Sequence, residues 1–400
     1  MLKDIINHKK WSASMSALLN QFIEHGGQTI AELSKNLGVS VPYTTKTLNE
    51  LIEIGLVQTT GKRDNYSKRA PKIYDLIATS GYFLGIDTGK DNLTFGICDF
   101  CGNMIADPVK IDFDYKDNME CFETFMKATN SYIEKSGIDK SQIKNACMSI
   151  GGRVNPEIGC AYNYFTCLGK PLAEAISEKL ELPFCIDNDT RCMTYGESLK
   201  GVCRGIKNVV FVNVSWGIGI GIIIDGKLYQ GKSGFSGEIG HMHIYNNDII
   251  CHCGKTGCME TETSGSALLR KMNQKLQEGG TSVLTDKVMK QHQELTLQDI
   301  LDAIQKEDVL SIESLQKMAV ELGTNLAGII NTFNPEMLVI GGDLSVTGDY
   351  LTQPICMGIK KFSLNMVSDD SQIVTSALKD HAGLIGACLM ARSKILQGHS

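Results

Sequence analysis

The strongest chemical signal in the sequence is a histidine followed by three cysteines within eighteen residues: His241, Cys251, Cys253 and Cys258. One imidazole and three thiolates form a tetrahedral zinc set, and the short Cys-x-Cys and Cys-x4-Cys spacing favours that interpretation. Four protein ligands leave no coordination position to activate water, so the predicted zinc is structural. The alternatives are His243 or His252 in place of His241, or three free cysteines beside a loop histidine.

Carboxylates flank this segment on both sides. Glu238 stands three residues before His241, and Glu260 stands two residues after Cys258. Carboxylate oxygens accept hydrogen bonds from hydroxyl groups, as recognition of a sugar requires. The spacing therefore makes the two glutamates candidate sugar ligands, with ordinary surface acids as the alternative.

A second polar pair, Asn188 and Asp189, follows a short predicted strand at 184–186. Such a pair at a strand end can orient a sugar hydroxyl and accept its proton for phosphoryl transfer. The alternative is a structural role as the N-cap of the helix that begins near Thr190, and both roles are compatible.

Two glycine-containing turns follow apolar strands about 130 residues apart. The first strand, 82–86, leads into Asp87 and Gly89, and the second, 209–214, leads into Gly217. Tight turns of this kind expose backbone N–H groups to phosphates. The alternative, for either turn considered alone, is an ordinary hairpin turn. The repetition predicts a duplicated, two-lobed architecture with a ligand cleft.

Three short helices are predicted before residue 55. The first, 14–25, carries apolar residues at helical spacing; the second has Thr29 and Glu32 as a capping box, and the third starts after Ser40. The residues predicted to be buried on the third helix are Thr44, Leu48, Leu51 and Ile52. Two helices, a glycine turn and a third helix are typical of a helix-turn-helix domain.

Two predicted strands, 56–60 and 72–76, then bracket a basic loop that resembles a wing. In such domains the last helix presents its first residues to base edges, and wing cations contact phosphates. A small helical bundle for protein contacts is the alternative. The predicted DNA-binding residues are Ser40, Pro42, Tyr43, Thr45 and Lys46 on the helix, and Lys62, Arg63, Lys68 and Arg69 in the wing.

The charge distribution agrees with a DNA-binding head. The whole chain has a net charge of −6, but residues 1–75 contain ten Lys and Arg against seven Asp and Glu, leaving 29 against 38 in the remainder. The sequence shows no secretory signal and no long apolar run, so we expect a cytoplasmic protein without a membrane span. Its fourteen cysteines are accordingly expected to be reduced thiols.

Several segments together resemble the ROK family, which groups bacterial sugar-responsive repressors and sugar kinases. The segments are 151–155, 188–189, 237–241, 251–260, 334–336, 341–342 and 382–387. The resemblance covers essentially the whole chain. A DNA-binding head is carried by the repressors of this family and is usually missing from its kinases.

The resemblance implies an α/β protein with a winged helix-turn-helix followed by a two-lobed actin-like (ribonuclease H-like) sugar kinase fold. It implies zinc at the four ligands named above. The residues that would hold a sugar are Asn188, Asp189, Glu238, His241 and Glu260, with Asp189 as the general base if the protein is a kinase. The residues that would face a nucleotide in a kinase are Asp87, Gly89, Gly217, Gly341 and Gly342.

Two nucleotide loops depart from the kinase pattern. The family's kinases have Asp-x-Gly-Gly-Thr at the first loop, whereas Gly89 is followed here by Lys90 and Asp91. They have Gly-Thr-Gly at the second, whereas Trp216 stands here in place of the threonine. We therefore expect impaired ATP binding and a sugar sensor in preference to an enzyme, with enzymatic activity left open.

The sequence thus predicts a DNA-binding transcriptional regulator, in the first place a repressor of carbohydrate-metabolism genes controlled by a sugar or sugar phosphate. Because helix-turn-helix proteins read two half-sites, we expect a homodimer or homotetramer. The predicted domains are 1–78 for the head, 79–190 with 376–400 for the first lobe, and 191–375 for the second lobe with the zinc loop. The alternative function is an ATP-dependent sugar kinase that keeps a DNA-binding head.

Overall fold

The computed structural model describes residues 11–62 and 70–396. Backbone contacts divide the chain into two compact units, Met1–Leu199 with Gly383–Ser400, and Lys200–Ala382. Each unit is built around its own five-stranded sheet, and the first unit also contains the N-terminal helices. The three domain ranges given above stay predictions.

The first unit opens with three helices: α1 (Ala13–His25), α2 (Ile30–Leu37) and α3 (Val41–Glu53). Each helix has a hydroxyl-bearing N-cap, namely Ser12, Thr29 and Ser40. At α2 the predicted capping box is present, because Thr29 Oγ1 accepts from the Glu32 N–H while Glu32 accepts from the Thr29 N–H at 2.9 Å. Hydroxyl and carboxylate groups thus satisfy the backbone donors that each helix start leaves unpaired.

A two-stranded antiparallel sheet follows α3, as the sequence predicted for a wing. Its strands are β1 (Val57–Lys62) and β2 (Lys72–Leu76), with Val57 opposite Leu76. The prediction that Ile52 is buried is wrong, since its side chain is 36% exposed. Thr47 is buried in its place, because the inward face of α3 follows the i, i+3, i+4 and i+7 positions that start at Thr44.

Removal of the α2 cap should loosen this helix without unfolding the rest of the unit. Because an N-cap hydroxyl contributes about 1 kcal/mol, Thr29→Ala should lower hydrogen-exchange protection in α2 about fivefold. Exchange mass spectrometry on peptides covering residues 30–37 measures this. Asn20→Ala, on the exposed side of α1, is the matched control and should leave protection within experimental error.

The sheet of the first unit contains five strands: β3 (Tyr82–Thr88), β4 (Asn92–Asp99), β5 (Val109–Asp112), β6 (Ile143–Ile150) and β9 (Phe184–Asn188). A separate small hairpin, β7 (Val154–Asn155) and β8 (Cys160–Ala161), lies between β6 and β9 in the chain. The strand order of the sheet is β5-β4-β3-β6-β9, with an antiparallel meander on one side and parallel pairs β3/β6 and β6/β9 on the other. The helices are α4 (Met119–Lys135), α5 (Leu172–Leu180) and α6 (Asp189–Lys200). Parallel pairing requires such helical crossovers.

The second unit repeats this plan. Its strands are β10 (Val209–Val214), β11 (Ile218–Ile224), β12 (Lys227–Tyr229), β13 (Met337–Gly341) and β14 (Gln372–Thr375), in the order β12-β11-β10-β13-β14. Its helices are α7 (Glu260–Thr263), α8 (Gly265–Gln277), α9 (Leu297–Gln305), α10 (Val309–Phe333), α11 (Asp349–Phe362) and α12 (Asn365–Asp370). Strand order and directions match those of the first sheet, so the predicted duplication is confirmed.

The last helix, α13 (Ala382–Leu396), packs within the first unit. Its Gly386 lies so close to α6 that a Cβ there would be 1.8 Å from the carbonyl oxygen of Cys192. At its other end the Leu396 carbonyl accepts a hydrogen bond from Ser16 Oγ of α1 at 2.7 Å. One helix therefore contacts both α1 and the helix that starts at Asp189. Among the described residues no helix is long and apolar enough to cross a membrane.

Candidate functional site

The four predicted metal ligands lie together in the second unit. One ligand atom from each of His241, Cys251, Cys253 and Cys258 lies within 4.8 Å of all the others. Cys251 and Cys258 are buried, at 4% and 1% exposure. The loop folds back on itself because the Cys251 N–H donates to the Lys255 carbonyl and the Gly254 N–H donates to the Cys251 carbonyl, both at 2.8 Å.

The distances between ligand atoms fit a tetrahedral metal. Zinc bonds of about 2.3 Å to sulfur and about 2.0 Å to nitrogen place two sulfurs about 3.8 Å apart, and a sulfur and a nitrogen about 3.5 Å apart. Here Cys253 Sγ lies 3.6 Å from Cys258 Sγ, and Cys251 Sγ lies 3.6 Å from His241 Nδ1. Burial raises the pKa of the Cys251 thiol to about 12, so a metal would bind this site with release of protons.

His241 presents its two ring nitrogens to different partners. Nδ1 faces Cys251, while Nε2 lies 3.7 Å from Glu238 Oε2. A carboxylate on the far nitrogen is the usual means of fixing the ring of a metal-bound histidine. Glu238 directly precedes a short 3-10 turn, Ile239–His241, and His241 ends it, which explains why the two side chains meet.

Glu260 is the buried carboxylate of this cluster, with 7% exposure. Its Oε1 lies 2.8 Å from His252 Nδ1, and its Oε2 accepts the Ile218 N–H at 3.1 Å. Burial would raise the pKa of Glu260, but the His252 contact and the Ile218 hydrogen bond outweigh it and hold the pKa below its usual value. The carboxylate is therefore charged, and Gly217 must lack a side chain because a Cβ there would lie 2.6 Å from Glu260 Oε2.

In the first unit, Asn188 and Asp189 stand at the junction between β9 and α6. Asn188 Nδ2 donates to Asp189 Oδ1 at 2.8 Å and to the Gly152 carbonyl at 3.0 Å, and Asn188 Oδ1 accepts from the Arg191 N–H at 3.2 Å. Asn188 therefore caps α6, and its contact with a sugar stays a prediction. Gly151 lies beside Asp189, because a Cβ there would be 3.6 Å from Asp189 Oδ2.

A buried ion pair that was not predicted from the sequence holds this junction. Arg191 Nε donates to Asp187 Oδ1 at 2.6 Å, Arg191 Nη2 donates to the Val154 carbonyl at 3.2 Å, and both charged side chains are buried. The pair spans the strand end and the first helical turn, so it fixes the direction of Asn188 and Asp189 between them. The i, i+4 spacing of opposite charges was the available signal.

The predicted DNA-binding residues fall into two groups. Ser40, Pro42, Tyr43 and Lys46 are exposed at the start of α3, and Thr45 is half-buried there. Lys62 ends β1. Arg63, Lys68 and Arg69 lie outside the described residues.

Two family models match the chain. The winged helix-turn-helix DNA-binding family matches residues 16–58, and the ROK family matches residues 83–394. The second match spans well over half of the chain and includes the metal cluster. The chain belongs to the ROK family.

Known ROK proteins similar to the chain include both regulators and kinases. A xylose repressor from Caldicellulosiruptor bescii is 28% identical over 91% of this chain and 92% of its own length. A glucokinase from Halalkalibacterium halodurans is 29% identical over 76% of this chain and 93% of its own length. A crystal structure of a ROK family transcriptional regulator, homologous to the Escherichia coli Mlc protein, is 25% identical with a TM-score of 0.79 over 96% of both chains.

The regulators thus match 91–96% of the chain, whereas the glucokinase matches 76% of it. The predicted fold, a winged helix-turn-helix joined to the two-sheet ROK body, is confirmed. So is the predicted class of function: the chain is a ROK transcriptional repressor with a DNA-binding helix-turn-helix domain.

The glycines predicted at nucleotide loops of this ROK chain also have packing reasons to be glycine. Gly342, at φ +86°, would place a Cβ 2.4 Å from Asn213 Oδ1, and Gly341 would place one 2.3 Å from the Phe211 ring. Ser215 Oγ accepts from the Asp343 N–H at 2.9 Å and donates to Asn213 Oδ1 at 2.7 Å. The turn after β10 and the turn after β13 are thus joined by hydrogen bonds.

The corresponding turn of the first unit is closed in a similar way. The Gly89 N–H donates to the Asn92 carbonyl at 3.0 Å, and Asp87 Oδ1 accepts from Ser149 Oγ at 2.6 Å. The Gly89 N–H is therefore bonded within the hairpin. Impaired nucleotide binding stays a prediction.

Proposed function

We propose that this chain represses its target genes by binding an operator with its N-terminal domain and that a sugar or sugar phosphate controls this binding. The observation that carries the proposal is that one chain combines the helix-turn-helix match with a ROK body in which all five predicted sugar residues are present. A sugar changes operator affinity only if it binds one state of the protein better than another. We expect a homodimer or homotetramer, since two half-sites require two heads.

Two groups of side chains are the proposed sugar contacts. In the second unit Glu238 and Glu260 supply acceptors for hydroxyl groups beside His241, whose ring is held by the metal cluster and by Glu238. In the first unit Asn188 and Asp189 supply an amide and a carboxylate whose positions are fixed by neighbouring hydrogen bonds. Preorganised polar groups of this kind bind a polyhydroxylated ligand with little loss of side-chain entropy.

The metal is proposed to be zinc with a structural role. Three thiolates and one imidazole suit zinc, and four protein ligands occupy its tetrahedral positions. The metal holds the 241–260 segment in one conformation. Because His241 and Glu260 are the two ends of this segment, their positions are fixed together. A zinc-sensing regulator is less well supported, because a closed ligand set favours permanent binding over reversible binding.

A sugar screen by thermal shift, followed by gel shifts, tests the effector role. A ligand at 100 times its Kd stabilises the protein by about 2.7 kcal/mol, so a true effector should raise the melting temperature in proportion to the logarithm of its concentration. It should also change the affinity for DNA from upstream of the gene. Absence of operator binding at low and moderate salt would contradict the proposal.

Single carboxylate changes should remove the sugar response and leave the fold intact. Asp189→Asn and Glu238→Gln should each weaken sugar binding at least tenfold, because each removes a charged acceptor that contributes about 1.5–3 kcal/mol when bonded. Calorimetric titration with the best sugar from the screen measures this. Asp248→Asn, an exposed carboxylate of the same loop, is the matched control and should bind the sugar normally; equal affinity in all three variants would remove these residues from the site.

A second candidate function is an ATP-dependent sugar kinase that keeps its DNA-binding domain. The presence of Asp189 at the position of the general base favours it, as does the similarity to a glucokinase. A coupled assay with ATP, Mg²⁺ and several hexoses decides, and turnover that Asp189→Asn abolishes would support the kinase.

A further inference from the structure

The side chains that α3 presents at its start are mostly apolar. Val39, Val41 and Tyr43 are 36%, 51% and 49% exposed, and Pro42 beside them is exposed as well. They lie in the turn before α3 and in its first turn, the part of a recognition helix that reaches base edges. The residues predicted from the sequence to contact DNA here are mainly polar and include neither valine.

The hydroxyl groups at the same place are occupied within the helix. Ser40 Oγ accepts from the Tyr43 N–H at 3.4 Å, and Thr45 Oγ1 donates to the Val41 carbonyl at 2.8 Å. The hydroxyl of buried Thr44 donates to the Ser40 carbonyl at 3.1 Å. Ser40 thus caps α3 and Thr45 bonds back to the preceding turn, so each hydroxyl uses one of its hydrogen-bonding functions within the helix, and their contact with DNA stays a prediction.

The backbone at the start of α3 offers few donors either. Pro42 has no N–H group, the Tyr43 N–H is bonded to Ser40 Oγ, and the Thr44 N–H is bonded to the Ser40 carbonyl at 3.0 Å. A helix N-terminus that binds a phosphate needs such groups to point at it. This end of α3 is suited to an apolar contact with the edge of a base.

We propose that the first turn of α3 recognises thymine through its 5-methyl group, with Val41 as the principal contact and Pro42 beside it. Among the four bases of DNA, thymine alone presents a methyl group in the major groove, and apolar side chains recognise it by direct contact. Lys46, exposed one turn further along, is placed to contact phosphate. The inference rests on the DNA-binding function of this domain.

The test uses the full-length protein and a DNA site selected by it from a random duplex library. Each thymine of one half-site is replaced in turn by uracil, which pairs identically and lacks only the methyl group. Because burial of one methyl group is worth about fourfold in affinity, at least one substitution should raise Kd about fourfold. Fluorescence anisotropy at a fixed salt concentration measures Kd.

Two variants assign the contact to Val41. In Val41→Ala the uracil penalty at the sensitive thymine should fall below about 1.5-fold, because the γ-methyl groups that touch the base are gone. Ile52→Ala is the matched control: Ile52 is also apolar and 36% exposed, but lies at the far end of α3. It should keep the fourfold penalty.

The outcomes separate this inference from the function on which it rests. If no sequence is enriched in the selection, the DNA-binding function fails and the inference fails with it. If a site is enriched but no uracil substitution changes Kd by more than about 1.5-fold, the inference alone is overturned. A penalty of undiminished size in Val41→Ala overturns the assignment to Val41.

Discussion

Cys258→Ser is expected to reduce bound zinc from one ion per chain to nearly none. Cys258 is buried with Cys253 Sγ at 3.6 Å, so a serine would leave three ligands around a site that geometry fits to four. Changes of residues that only support zinc ligands already weaken binding 10–100-fold, so loss of a thiolate should weaken it by at least about 100-fold. Elemental analysis after gel filtration measures the zinc content.

The same variant should lose the sugar response. His241 and Glu260 are held by this loop, and Cys251 Sγ lies 3.7 Å from Glu260 Oε1, so release of the metal changes the surroundings of the carboxylate. The sugar-dependent thermal shift should disappear, while DNA binding by the head should persist at low temperature. Cys356→Ser, a partly buried cysteine of the same unit, is the matched control and should retain zinc; stoichiometric zinc in Cys258→Ser would contradict the assignment.

The metal cluster could be predicted from sequence because its ligands are close in the chain. Cys251, Cys253 and Cys258 lie within one loop, so their residue types and spacing determine most of the geometry. The caps of α2 and α3 were predictable for the same reason, since a cap and the N–H groups it satisfies are at most three residues apart. Interactions between residues that are close in the chain can therefore be inferred from residue types and spacing.

The functions of polar residues at the start of α3 could not be predicted in the same way. A serine or threonine in a recognition helix can contact DNA or cap the helix, and residue type does not distinguish these roles. Here Ser40 and Thr45 form hydrogen bonds within the helix, and Val39 and Val41 are exposed beside them. Only the folded structure, which shows the hydrogen-bond partner of each hydroxyl group, distinguishes a helix cap from a DNA contact.

Contacts between distant segments were the other kind of feature that sequence alone did not reveal. The 382–387 segment matches the family pattern. That pattern does not reveal that Gly386 of α13 lies against the Cys192 carbonyl of α6. Nor does any local pattern predict that Ser16 Oγ bonds to the Leu396 carbonyl, 380 residues away. These contacts depend on packing, and their consequence is that α13 touches both α6 and α1.

Gly386→Ala is therefore expected to be strongly destabilising. The added Cβ would lie 1.8 Å from a backbone carbonyl oxygen, which cannot rotate away as a side chain does, so α13 and α6 must move apart. Overpacking typically costs about 1–3 kcal/mol, and we expect a loss at or above the top of that range. Denaturant unfolding measures it, with Gly328→Ala as the control: Gly328 of α10 has no atom within 4 Å of a Cβ, so alanine there should stabilise the helix by about 0.5–1 kcal/mol.

Hydrogen exchange on Gly386→Ala also tests how far the displacement extends. Because α6 starts at Asp189 and α13 ends at the carbonyl that Ser16 contacts, a shift of α13 should reduce protection in α6 and in α1 together. Reduced protection in both helices would give the sugar-binding junction a physical connection to the DNA-binding head within the first unit. Reduced protection in α6 alone would show that α13 absorbs the displacement, and a signal to the head would then need another route.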